Sequence, residues 1–159
     1  MEYLENKPFD EINVGDTASM SRTVTDNDIR LFAYLSGDNN PVHLDEEYAK
    51  STAFGERIAH GLFTSLLVTT TVATKLPGPG SIYRGQEMKF QKPVKIGDTL
   101  TATLTVTEKK KRGNLVKLDC EIKNQNAEVV FTGKSTTIAP TEKIKVPAPK
   151  LPEVSLSDA

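Results

Sequence analysis

GLFTSLLVTTTVATKL, residues 61–76, decides the fold. Leu62, Phe63, Leu66, Leu67, Val68, Val72, Ala73 and Leu76 alternate with small hydroxylated residues, and only Lys75 is charged. A helix with no charged face is a buried helix. Lys75 falls near the C-terminal end, where a cation suits the helix dipole, and Pro77-Gly78-Pro79-Gly80 stops the helix. At about a dozen apolar-leaning residues, threonines among them, the run is too short and too polar to span a bilayer.

What could bury such a helix lies downstream. Residues 99–107, TLTATLTVT, alternate strictly, with Leu100, Ala102, Leu104 and Val106 on one face. Residues 115–123, LVKLDCEIK, alternate again, with Val116, Leu118, Cys120 and Ile122 together. Such a period means strands with one buried face. Residues 81–94 and 128–138 read as further strands, and 17–24 as a short, weakly alternating one. Arg112-Gly113-Asn114 and Asn124 to Ala127 are turns, which makes an antiparallel meander. An antiparallel sheet with one apolar face and one wholly apolar helix bury each other when the sheet wraps around the helix. The expectation is a single α+β domain over 1–140, with a polar lead-in over 1–16. Residues 141–159, rich in Pro and charge, read as an extended or disordered tail.

Upstream of the helix stands LFAYLSGDNNPVHLDEEYAKSTAFGERIAHG, residues 31–61, with both histidines of the chain. Thr25 and Asp28 fit a capping box for a helix over about 26–36, and Gly37 can end it in the left-handed conformation. Asp45 can cap a second short helix over about 46–51. Between them, Pro41 biases Asn40 toward extended backbone, and the segment reads as a loop presenting Asp38 and His43. Either residue alone would be an ordinary loop residue. Together they are a carboxylate and an imidazole, the usual partners for proton transfer near neutral pH. His60-Gly61 then opens the helix, and a glycine there offers an uncrowded N–H to a carbonyl oxygen that becomes negative.

With 20 basic and 21 acidic side chains and a net charge of −1, no global field favours nucleic acid or an anionic membrane. Cys120 is alone, which argues against a disulfide framework or a thiolate metal cluster and fits a reducing, cytoplasmic setting. The N-terminus, MEYLENKPFDEI, is unlike a signal peptide. Lys109-Lys110-Lys111-Arg112 reads as a solvated hairpin tip, and Cys120 as a buried core residue.

Ser36-Gly37-Asp38-Asn39-Asn40-Pro41-Val42-His43 resembles, without departure, the signature of the MaoC-like (R)-specific enoyl-CoA hydratases. Ala59-His60-Gly61-Leu62 is similar to their second signature. Residues 76–100 are similar to the short bacterial hydratases that feed polyhydroxyalkanoate synthesis. The resemblance covers about 10–140 and implies the hot-dog fold, a homodimer, and syn addition of water to a trans-2-enoyl-CoA to give the (R)-3-hydroxyacyl-CoA. It implies that Asp38 and His43 hold the catalytic water, with Asp38 preferred as base and the roles open to sharing. Gly61 N–H would hold the thioester carbonyl, Asn40 would help fix the loop and the pair, and Thr69 stands where the family has an active-site serine. His60, read from its place in the sequence, could be a ligand or an acid, with a supporting, structural role in ordering the helix entry the preferred reading. Arg84 is a candidate contact for coenzyme A phosphate. Thr69, Val72 and Val130 are candidates for setting acyl-pocket depth. The chemistry calls for no metal and no cofactor, coenzyme A being part of the substrate. Two rival readings are a 3-hydroxyacyl-ACP dehydratase with the same pair and a non-catalytic acyl-CoA-binding module.

Overall fold

The computed structural model describes residues 1–157. Its strands are β1 (Tyr3–Glu5), β2 (Thr17–Thr23), β3 (Ile82–Phe90), β4 (Thr99–Lys110), β5 (Leu115–Lys123), β6 (Val129–Ile138) and β7 (Lys145–Pro147). Its helices are α1 (Asp26–Ser36), α2 (Pro41–Leu44), α3 (Glu46–Lys50) and α4 (Gly61–Thr74). Five strands form one antiparallel sheet in the order β2-β4-β5-β6-β3. The alternating residues do what their period requires. Leu100, Ala102, Leu104, Val106, Val116, Leu118, Cys120 and Ile122 are all buried on the inner face, against Phe63, Leu67, Val68 and Val72 of α4. A fully buried Val, Leu, Ile or Phe side chain contributes about 1.5–3 kcal/mol. Gly133 on β6 is needed for close approach, because a Cβ there would stand 2.2 Å from the Glu87 carbonyl oxygen of β3.

The capping box of α1 is present, with Thr25 and Asp28 bonding each other's backbone N–H, and Gly37 closes the helix at φ 74°. Asp45 caps α3 through Tyr48 N–H. Four expectations are revised. Residues 41–44 are one helical turn capped by Asn40, so His43 sits on a rigid element and not in open loop. Helix α4 is not buried all round, since Leu62 and Leu66 are 53% and 43% exposed. Lys109 is no solvated tip: its ammonium donates to the Phe9 and Ile12 carbonyls at 2.7 and 2.6 Å and lies over the Phe9 ring. Residues 1–16 are not merely a polar lead-in, because Phe9 and Ile12 are core residues.

The tail divides. Strand β7 is extended, as expected, and pairs antiparallel with β1, so residues 145–147 fold with the domain. Asn6 is the hub of this clasp. Its amide donates to Glu142 O at 2.8 Å and accepts from Ile144 N at 2.9 Å, while its backbone N–H donates to Ile144 O. The last two residues of the expected tail lie outside the described residues. Asn6 is 3% exposed, so Asn6→Ala strands buried polar groups. The variant is expected to lose about 1–3 kcal/mol of stability in thermal or urea unfolding.

Candidate active site

Each part of the site is placed by a backbone bond. Helix α1 ends at Gly37, and the Asp38 N–H donates to Ser36 Oγ at 3.2 Å while that hydroxyl donates to Phe32 O. Asp38 Oδ1 accepts from the Asn40 N–H at 3.1 Å, and Asn40 Oδ1 accepts from the Val42 N–H at 3.2 Å. The single turn of α2 then carries His43 back toward Asp38. Arg57 locks that turn: its Nε donates to the His43 carbonyl at 2.7 Å and its guanidinium pairs with Asp26 at 2.6 Å. Ala59 N–H donates to Val94 O at 2.7 Å, which ties the segment before α4 to the strand side of the fold.

The result is a carboxylate facing an imidazole across 3.9 Å, from Asp38 Oδ2 to His43 Nε2. That is too long for a direct hydrogen bond. His43 is buried and the Asp38 side chain is half exposed, so the gap opens toward solvent on one side. His43 Nδ1 is 2.8 Å from Ile58 O. A carbonyl can only accept, so the proton of the neutral ring is on Nδ1 and Nε2 turns a lone pair to the gap. Both groups facing the gap are therefore acceptors when His43 is neutral. His60 packs beneath, its ring stacked on His43 at 3.8 Å and its Nε2 3.1 Å from the Asp38 carbonyl oxygen. Burial holds the His60 imidazole below the usual histidine range, against the raising effect of that bond to Asp38.

A cleft of about 340 Å³ adjoins the pair, lined by His43, Phe54, Ile58, Gly61, Thr64, Phe90 and Lys92 among others. Gly61 N–H belongs to the first turn of α4, where the helix itself supplies no acceptor. A larger depression of 640 Å³ lies on the outer face of the sheet, among Thr103, Asp119, Glu121 and Lys134, and has none of these groups. The structure thus brings Asp38, Asn40, His43, His60 and Gly61 together. It leaves two expected residues apart. Arg84 sits exposed in a bulge of β3, six residues before Phe90 and so roughly 20 Å along the strand. Thr69 is exposed two turns along α4, and its hydroxyl bears on the Tyr83 phenol. Of the other two pocket-depth candidates, Val72 and Val130 are core residues. Sequence reasoning passed over Thr64, Phe54 and Phe90. Thr64 was legible, being one turn past Gly61 on the same helix face. The two phenylalanines arrive from distant segments and leave no local signal.

A sheet wrapped on one long helix, with a carboxylate and an imidazole facing each other beside the helix N-terminus, defines a hot-dog protein. The chain belongs to the MaoC-like domain family, whose pattern matches residues 12–130. An (R)-specific enoyl-CoA hydratase of Rhodospirillum rubrum is 42% identical over 134 residues, 83% of this chain and 91% of that protein. A 3-hydroxybutyryl-CoA dehydratase of Methylorubrum extorquens is 36% identical over 135 residues, 85% of each chain. The unliganded R-hydratase PhaJ1 of Pseudomonas aeruginosa superposes with a TM-score of 0.94 at 42% identity, covering 98% of this chain and all of that one.

The buried His60 has a consequence for stability. Its pKa is depressed from 6.5 in the folded state, mainly by desolvation. As pH falls through about 6.5, the unfolded chain takes up a proton that the folded ring refuses, and stability drops toward the folded pKa. The melting temperature is expected to fall between about pH 7.5 and pH 5.5, and to fall less in His60→Phe. Equal falls in both proteins would contradict this.

Proposed function

We propose that the protein is an (R)-specific enoyl-CoA hydratase, adding water reversibly to trans-2-enoyl-CoA to give (R)-3-hydroxyacyl-CoA. The observation that carries the reading is the 3.9 Å gap with two acceptors, Asp38 Oδ2 and His43 Nε2, beside the Gly61 N–H. A water about 2.8 Å from each acceptor donates to both and turns its lone pairs outward. Its oxygen attacks C3 while one of its protons passes to the pair. The C2–C3 π electrons move toward the thioester, and the oxygen that gains charge is met by Gly61 N–H, a contact worth about 10²–10³ in rate. The proton lost by the water is the one C2 needs, so the pair returns it and ends as it began. Asp38 is the preferred acceptor. His43 orients the water and, with its proton fixed on Nδ1, can donate at Nε2 only after taking up a proton itself. Both steps occur from one side, which gives syn addition. Asn40 holds the carboxylate, and the reaction is proton transfer alone, so no metal or redox cofactor enters the proposal.

A homodimer belongs to the same proposal. Edge strand β3 exposes Ile82, Met88 and Phe90, and the outer side of α4 exposes Leu62 and Leu66. Free strand edges and apolar faces are what a second copy covers. A reducing, cytoplasmic setting is also proposed, supported by the single buried Cys120, as is a role in supplying (R)-3-hydroxyacyl units to polyhydroxyalkanoate synthesis.

Crotonyl-CoA is expected to lose its conjugated absorbance on addition of the protein, and chiral analysis to return the (R)-3-hydroxy product. Asp38→Asn and His43→Gln are each expected to lose at least about 10² in kcat. Failure to turn over crotonyl-CoA or a longer enoyl-CoA would sink the reading. Light scattering is expected to give twice the 17.4 kDa chain mass, and a monomer would remove the dimer.

A further inference from the structure

Four aromatic rings run in file from the core to the catalytic pair. Phe63 on α4 meets Phe32 on α1 edge to face, with centroids 6.0 Å apart and planes at 86°. Phe32 lies against His60 at 4.8 Å. His60 stacks on His43 at 3.8 Å and 27°. The same His60 reaches the other half of the pair, its Nε2 standing 3.1 Å from the Asp38 carbonyl oxygen. Since that oxygen only accepts, Nε2 carries the proton and donates. One imidazole therefore supports His43 by its face and Asp38 by its edge.

Packing alone does not explain a histidine here. His60 is 3% exposed, and its Nδ1 is buried with no hydrogen-bond partner among the described residues. A buried polar atom left without a partner is destabilising. Phenylalanine would complete the file of rings without that cost. What phenylalanine would not supply is the N–H to Asp38. The fold thus carries a penalty at one nitrogen for the sake of the bond made by the other, a local conflict of the kind found at functional sites.

The geometry assigns His60 as a positioning residue that sets the separation and facing of Asp38 and His43. It touches no reacting atom and acts through the pair, so the assignment rests on the catalytic reading given above. The stack fixes the height and tilt of the His43 ring, whose other restraint is the Nδ1–H bond to Ile58 O. The Nε2–H bond fixes the Asp38 backbone, whose carboxylate is otherwise held by the Asn40 N–H. With two acceptors sharing one water, a displacement of about 1 Å in either can cost roughly 10² in rate.

The test is a double-mutant cycle on kcat for crotonyl-CoA. In the wild-type background His60→Ala is expected to lose about 10² in kcat, with KM changed by less than about threefold. His60→Phe keeps the face and loses the donor, and His60→Gln keeps a donor and loses the face. Each is expected to lose less than His60→Ala, about tenfold. In the Asp38→Asn background, with enzyme raised to read the residual rate, His60→Ala is expected to cost less than about threefold more, because residues acting as a unit are not additive. Thermal unfolding reports that each variant is folded, and His60→Phe and His60→Gln carry the same cycle if His60→Ala does not fold. An equal loss in both backgrounds would make His60 a general support of the fold and overturn the assignment. No loss in the wild-type background would overturn it too. Full activity of Asp38→Asn by itself would instead remove the catalytic reading, and shows before any His60 variant is made.

Discussion

Covering the inner face of the sheet with α4 is the constraint on which the site depends. Leu100, Leu104, Leu118 and Ile122 leave one face of the sheet apolar, and Phe63, Leu67, Val68 and Val72 meet it. Once α4 is seated, its N-terminus is fixed in space and so is the Gly61 N–H. The chain between α1 and α4 must then cross that N-terminus. Short bonds tie it down as it crosses, from Ala59 N–H to Val94 O, from Ile58 N–H to Val42 O, and from His43 Nδ1 to Ile58 O. The last of these also decides which ring nitrogen carries the proton and which turns a lone pair to the gap. A packing requirement in the core and a proton position in the site are thus joined by a few backbone carbonyls.

The electrostatics follow from who can donate. Asp38 is an acceptor, and the Ile58 carbonyl makes neutral His43 an acceptor at Nε2 as well. Two acceptors 3.9 Å apart do not bond each other. They are complementary to something that brings two donors, and water is the smallest such molecule. Lower in the site, His60 is kept neutral by burial, so the ring stacked on His43 adds no second charge. The carboxylate side stays half exposed while the imidazole is buried, so the gap opens to solvent from the Asp38 side.

Much of this was legible in the sequence where a pattern is local and long enough to repeat. Residues 115–123 alternate over nine positions, and β5 spans those nine. Thr25 with Asp28, and Gly37 as a left-handed stop, are capping signals that act within one turn, and both hold. The short pieces were not legible. Helix α2 has four residues, too few for a 3.6-residue period to show, and its cap at Asn40 read as part of a turn. Lys109 sits in a run of cations, and its docking against Phe9 comes from a segment one hundred residues away. The β1–β7 clasp has the same cause, being made by two ends whose polar, Pro-rich composition gives no period to read. In the site, the Asp38–His43 pair was visible as a spacing. The cleft walls Phe54 and Phe90, and the stack of His60 on His43, exist only after the chain has folded.

The claim that one pair on one side handles both the water and the C2 proton is tested most directly by stereochemistry. Crotonyl-CoA would be hydrated in D₂O and the relative configuration at C2 and C3 of the product read by NMR. Deuterium at C2 and hydroxyl at C3 are expected to enter from the same face, with the (R) configuration at C3. Entry from opposite faces would require a second proton donor across the substrate and would exclude a single Asp38–His43 pair as the agent of both steps.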